Sequence, residues 1–174
     1  EIDGSIFGIV NMRKVDSVLN NYINNNQVED AGEYALRIQS KCKTDEKVLL
    51  YLLNSVGKYA PTQSYDMINN YCANVPESSR SDEINNIVAL ASATPIKPTA
   101  TPEPDTYISS PVVVSFGFED GRVGHRIYYT ADGSTPSVKS DLYNKPIEVK
   151  NDCTIKVIVE NCNGDLSQVY SYKY

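Results

Sequence analysis

The hydrophobic rhythm of the chain changes once, and the change falls at the proline tract ATPIKPTATPEPD, residues 93–105. Before it, apolar residues recur at three- and four-residue steps; after it, they alternate with polar ones. A helical period does not settle as a strand, nor the reverse, so a chain carrying both rhythms is expected to fold as two bodies of different class. Pro95, Pro98, Pro102 and Pro104 bias their own stretch towards polyproline II geometry and against packed structure. Residues 93–105 therefore read as a semi-rigid Pro/Thr-rich linker. It joins an all-α domain, residues 1–92, to an all-β immunoglobulin-like sandwich, residues 106–174. A chain of 174 residues suffices for two such small domains.

Five short helices are expected before the tract, with Ile6–Val10 as a lead-in too short to span a bilayer. Met12, Val15, Val18, Leu19, Tyr22 and Ile23 make one apolar stripe, and Val28, Ala31, Ala35 and Ile38 a second. Thr44 or Asp45 caps a third helix through Val48, Leu49, Leu52, Leu53 and Val56. Pro61 suits the first turn of a fourth, through Tyr65, Ile68 and Tyr71; Ser81 or Asp82 opens a fifth, carrying Ile84, Ile87, Val88 and Ala91.

The pattern Val15, Val18, Leu19, Ala31, Ala35, Ile38 returns as Val48, Tyr51, Leu52, Ser64, Ile68, Tyr71. That spacing resembles tetratricopeptide helical hairpins, which repeat at about 34 residues. The helical domain is thus either a helical-hairpin repeat or an irregular five-helix bundle.

After the tract, strands are expected over Val112–Phe118, Arg126–Thr130, Pro146–Val149, Thr154–Val159 and Leu166–Tyr172, with Asn163 and Gly164 turning between the last two. Within these, Tyr129, Thr130, Asp132, Gly133, Ser134 and Pro136, then Tyr143, Pro146, Ile147, Gly164 and Ser167, form a recognisable group. On them, residues from about 104 to 174 resemble the β-sandwich module at the C-terminus of chitobiase and β-hexosaminidase and in many bacterial surface proteins. The expected role of the group is structural. Asp132 and Ser134 tighten a turn, Gly133 supplies a permissive φ, Pro136 stiffens the exit and Tyr143 packs beneath. In chitobiase the hydrolysis belongs to a separate barrel domain, so the resemblance implies no activity here.

The residues themselves point away from catalysis, metal and nucleic acid. Glycoside hydrolysis needs two carboxylates about 5 to 9.5 Å apart across a sugar-sized cleft, and no segment builds one. Glu29 with Asp30, and Asp82 with Glu83, read instead as helix starts. His125 is the one histidine, with no Ser or Cys motif to complete a triad, and is expected to be exposed or to cap a turn. Asn161, Asn163 and Asp165 around Gly164 look like a fragment of a calcium loop without its closing Glu, and a hairpin turn explains them. Cys42, Cys72, Cys153 and Cys162 show no zinc-ligand spacing. Cys153 and Cys162 flank a strand and stand roughly 30 Å apart. Cys42 and Cys72 either pair between helices or remain free thiols. No cofactor motif is present. A net charge of −6 repels the phosphate backbone.

Carbohydrate binders stack sugar rings on exposed aromatics, and the chain has 13 Tyr and no Trp. Tyr170, Tyr172 and Tyr174 share a face of the last strand, while Tyr128 and Tyr129 point to opposite faces of theirs. Tyr128 is the candidate for an exposed sugar platform, against a packing role.

The expectation is a non-catalytic, bacterial, extracellular or cell-surface protein, exported or anchored by a segment upstream of Glu1. Its sandwich would be a spacer or bind cell-wall or other polysaccharide, and its helices would contact another protein. The alternatives are a purely structural scaffold whose helical hairpins grip a peptide, and an accessory fragment of a larger glycan-active enzyme.

Overall fold

The computed structural model of the protein describes residues 11–105 and 111–174. The lead-in Ile6–Val10 and the first five residues assigned to the β domain, 106–110, lie outside the described residues.

The N-terminal half holds five helices, α1 (Met12–Asn24), α2 (Val28–Lys41), α3 (Glu46–Val56), α4 (Pro61–Asn74) and α5 (Asp82–Ala91). Their starts are set locally. Side chains of Asn11, Asp45 and Ser81 accept hydrogen bonds from the amides of Lys14, Val48 and Ile84, and Pro61 occupies the first turn of α4, where a missing N–H costs nothing. The start of α2 has no side-chain cap but carries Glu29 and Asp30 in its first turn, where the helix dipole favours them. The helices enclose a core built on Leu19, Leu49, Leu52, Ile68, Tyr71 and Ile84, with α2 packed against α1, α3 and α4.

The C-terminal half is two antiparallel sheets. One has the order β1-β2-β5, from β1 (Thr99–Thr101), β2 (Val112–Gly117) and β5 (Ile147–Val149). The other has the order β4-β3-β6-β7, from β3 (Arg126–Thr130), β4 (Asp141–Leu142), β6 (Thr154–Glu160) and β7 (Tyr170–Lys173). Val114, Phe116 and Val149 of the first sheet meet Ile127, Ile155, Val157 and Tyr172 of the second in one core. Tyr143 ties the layers together. Its amide donates to Ile127 O at 2.8 Å, its hydroxyl accepts from Phe116 N at 3.1 Å, and its ring meets Phe116 edge-on.

The proline tract is not the unpacked spacer its composition predicts. Thr99, Ala100 and Thr101 pair with Gly117, Phe116 and Ser115 as an edge strand, and Ala100 is buried. An edge strand tolerates prolines at its ends, since half its N–H groups need no ladder partner. Tyr172 of β7 and Tyr174 just beyond it hold the flanks: the Tyr172 hydroxyl donates to Pro98 O and the Tyr174 hydroxyl to Pro102 O, the latter at 2.8 Å.

Further departures are local. Phe118 leaves β2 and packs against the His125 ring. The last strand begins at Tyr170 instead of Leu166, because Ser167 Oγ accepts from Val159 N and takes the place of a ladder partner. All four cysteines are free thiols. No helix among the described residues is long and apolar enough to cross a membrane.

Candidate functional site

Strand β3 decides the fate of the two tyrosines that sequence sets side by side. Alternation sends Ile127 to the sandwich core and Tyr128 to the opposite face. That face is covered by α4. Tyr128 is therefore 5% exposed, and the sugar platform expected of it does not exist. Its hydroxyl donates to Glu160 Oε2 at 2.9 Å. Arg126 Nε reaches the same oxygen at 2.8 Å, and its guanidinium lies 4.1 Å from the centre of the Tyr65 ring on α4. The Tyr65 hydroxyl closes the group at 3.4 Å from Glu160 Oε1. The Glu160 charge is buried yet answered by a cation and two hydroxyls, as a buried ion must be. Burial and the bond to Glu160 push the Tyr128 phenol up to about 12.

The same seam explains the residues that look like part of a calcium loop. Asn161 is fully buried; its Oδ1 accepts from the amides of Asn163 and Asp165, both at 2.9 Å. Its Nδ2 donates to Ser92 O and Ala93 O, each at 3.1 Å, and to Asp165 Oδ2 at 3.0 Å. Next to it, Cys162 N donates to Ala91 O at 2.9 Å, and His125 Nε2 stands 2.9 Å from Leu90 O. The last carbonyls of a helix have no partner within the helix. Here those at the end of α5 are satisfied by the sandwich.

His125 is thus buried, not exposed. A carbonyl only accepts, so Nε2 carries the ring proton and Nδ1 the bare lone pair. Burial holds its pKa below the usual imidazole value, which keeps the ring neutral. Gly124 lets the chains approach. A Cβ there would lie 2.7 Å from Ala91 Cβ and 2.8 Å from Ile68 Cδ1, and its φ of +81° favours glycine in any case.

Further along β3, on the face that Tyr129 shares with Ile127 and where it packs partly against the sandwich core, lies a different surface. Tyr129, Thr130, Asp132, Lys139 and Asp141 line a shallow open hollow of about 470 Å³. Tyr129 is half-buried and pairs with Asp141 in register. The turn beneath is rigid: Asp132 Oδ1 accepts from Ser134 N at 3.0 Å and from Ser134 Oγ at 2.5 Å, and Thr130 Oγ1 donates to Ser134 O at 2.7 Å. The bonds from Ser134 hold the Asp132 carboxyl below its ordinary value, so Asp132 is an anion at neutral pH. Gly133 takes φ +79°, Pro136 is buried, and Tyr143 sits in the core. An amphipathic ring flanked by a cation, two anions and a hydroxyl offers both a stacking face and directional partners.

Sequence reasoning passed over Glu160, and it read Asn161 only as part of a turn and His125 as exposed or capping a turn, because Tyr65, Ser92, Ala93 and Leu90, which complete their surroundings, lie before the β domain. A charge immediately after the apolar run of β6 was the available signal. No curated protein and no solved structure matches the chain. Residues 119–174 match the family model described as Fn3 associated, so this β-rich C-terminal part is similar to Fn3-associated modules.

Proposed function

We propose that the protein is a non-catalytic, surface-exposed or secreted binding protein whose sandwich recognises carbohydrate at the Tyr129 hollow. The observation that carries this reading is the half-buried Tyr129 ring beside Thr130, Asp132, Lys139 and Asp141 in one open depression. Sugars are held by an aromatic face and a ring of hydrogen-bonding groups, and this hollow supplies both. The resemblance to chitobiase-type modules supports it, as does the Pro/Thr-rich tract for a surface setting. The fixed role of the lone histidine supports the non-catalytic half. The helical domain serves as the platform that fixes the sandwich.

The test is binding of the whole chain to a glycan array and to cell-wall and chitin-type polymers. The expected result is retention on at least one polysaccharide, about tenfold weaker for Tyr129→Ala and for the exposed pair Lys139→Ala/Asp141→Ala. Clean negatives across the set, or binding that these variants leave unchanged, would reduce the sandwich to a spacer.

A further inference from the structure

Two of the four thiols lie at the seam between the halves, one on each side of it. Cys72 is on α4, one turn beyond Ile68 and two beyond Tyr65, on the stripe that meets the sandwich through Glu160 and Gly124. Cys162 follows β6 and is fixed twice: its amide donates to Ala91 O at 2.9 Å, and its Sγ donates to Gly124 O at 3.1 Å.

The two approach the same turn of α4. A Cβ built on Gly124 would lie 2.8 Å from Ile68 Cδ1 and 3.0 Å from Cys162 Sγ, so the Cys162 sulfur abuts the Ile68 side chain. Side chains of a helix tilt towards its N-terminus, so the Cys72 thiol leans back over the Ile68 turn. Both cysteines pack on the helical core, and both keep part of their surface exposed. Burial first, and then Cys72, push the Cys162 thiol up to about 12. The other two thiols are placed elsewhere. Cys42 ends α2, its Sγ donating to Ile38 O at 3.0 Å, and Cys153 precedes β6 at its opposite end, exchanging backbone hydrogen bonds with Tyr174.

We propose that Cys72 and Cys162 are a disulfide-forming pair, which a small oxidised disulfide such as oxidised glutathione closes into a covalent staple between the helical half and the sandwich. The Cys72 thiol, which Arg80 draws back down against its burial, supplies the first thiolate. It attacks one sulfur of oxidised glutathione and expels a glutathione thiolate. Cys162 then loses its proton to solvent, attacks the Cys72 sulfur of the mixed disulfide and expels the second. The protein gives up two hydrogens and two electrons, and glutathione leaves as two thiols. A link from residue 72 to residue 162 closes a loop that spans both halves, so it constrains the unfolded chain and stabilises the joint fold.

The test is the intact mass of the whole folded protein, without urea, before and after incubation with oxidised glutathione at about pH 8.5, where thiolates form. The expected product is lighter by two hydrogens, shows Cys72 joined to Cys162 in a peptide map, and has a higher urea midpoint that reductant reverses. The Cys42→Ser/Cys153→Ser variant behaves in the same way. Cys162→Ser keeps a donor for Gly124 O, and its urea midpoint no longer rises with oxidised glutathione. Tyr129→Ala forms the link as the parent chain does, which separates the staple from the hollow. The proposal is overturned if Cys42→Ser/Cys153→Ser keeps its starting mass, stops at a glutathione adduct, or links Cys72 only to Cys162 of a second copy.

Discussion

The buried amide of Asn161 donates to Ser92 O at 3.1 Å, so a side chain of the sandwich finishes the last turn of a helix in the other domain. Asn161→Ala removes that bond and its neighbour to Ala93, and strands two carbonyls. A loss of about 3 kcal/mol is expected in urea unfolding at neutral pH. Asn161→Asp should cost more, since it turns a carboxylate towards the same carbonyls. A change below about 0.5 kcal/mol for both would show that the seam contributes nothing to stability.

Tyr128→Ala tests packing against binding. The residue is buried between β3 and α4 and satisfies Glu160, so truncation should lower stability by about 3–4 kcal/mol. Tyr128→Phe keeps the ring and should lose about 1–2 kcal/mol. Polysaccharide retention by Tyr128→Phe is expected to match the parent chain, and loss of retention in this folded variant would return Tyr128 to the binding surface.

Tyr172→Phe deletes the hydroxyl that holds Pro98 O. We expect about 1–1.5 kcal/mol of destabilisation and faster amide exchange confined to Thr99–Thr101 and its partner strand. Uniform exchange rates in parent and variant would mean that the tract is held by its ladder bonds alone.

Alkaline pH should loosen the fold. The phenols of Tyr51, Tyr71, Tyr128 and Tyr174 are each pushed up to about 12, first by burial. In the unfolded chain they titrate near 10. A group whose folded pKa is raised contributes stability that is complete below its unfolded value and is lost as pH climbs through the folded one. The urea midpoint should therefore be level from pH 8 to about 10 and fall between about 10 and 12. A midpoint that rises in that window would contradict the assignment.

How far the sequence could be read depended on the distance to the deciding partner. Asp45, Pro61 and Ser81 cap helices through bonds three residues away or through their own ring, so the helical half was legible from local rules. The alternation around Val114, Phe116, Ile155 and Val157 likewise disclosed two-faced strands. The tract misled because the tyrosines that hold it lie more than 70 positions downstream. Tyr128 and Tyr129 were correctly separated by parity, but parity cannot tell which face a distant helix covers. Asn161 and Asp165 resembled a cation loop because both tasks gather side-chain oxygens in a tight turn. Only the donors on Nδ2, aimed at Ser92 and Ala93, distinguish a cap from a ligand set.

The α5 terminus has a practical corollary. A protease that cut the Pro/Thr-rich tract would not liberate two ready-made modules. The helical fragment would keep a fraying end whose carbonyls had lost their donors, and the β fragment would bare the Arg126–Glu160 pair and the glycine notch at residue 124. Scission there would act on both products at once, so the loop that looks most expendable in the sequence is where the protein is most readily disabled.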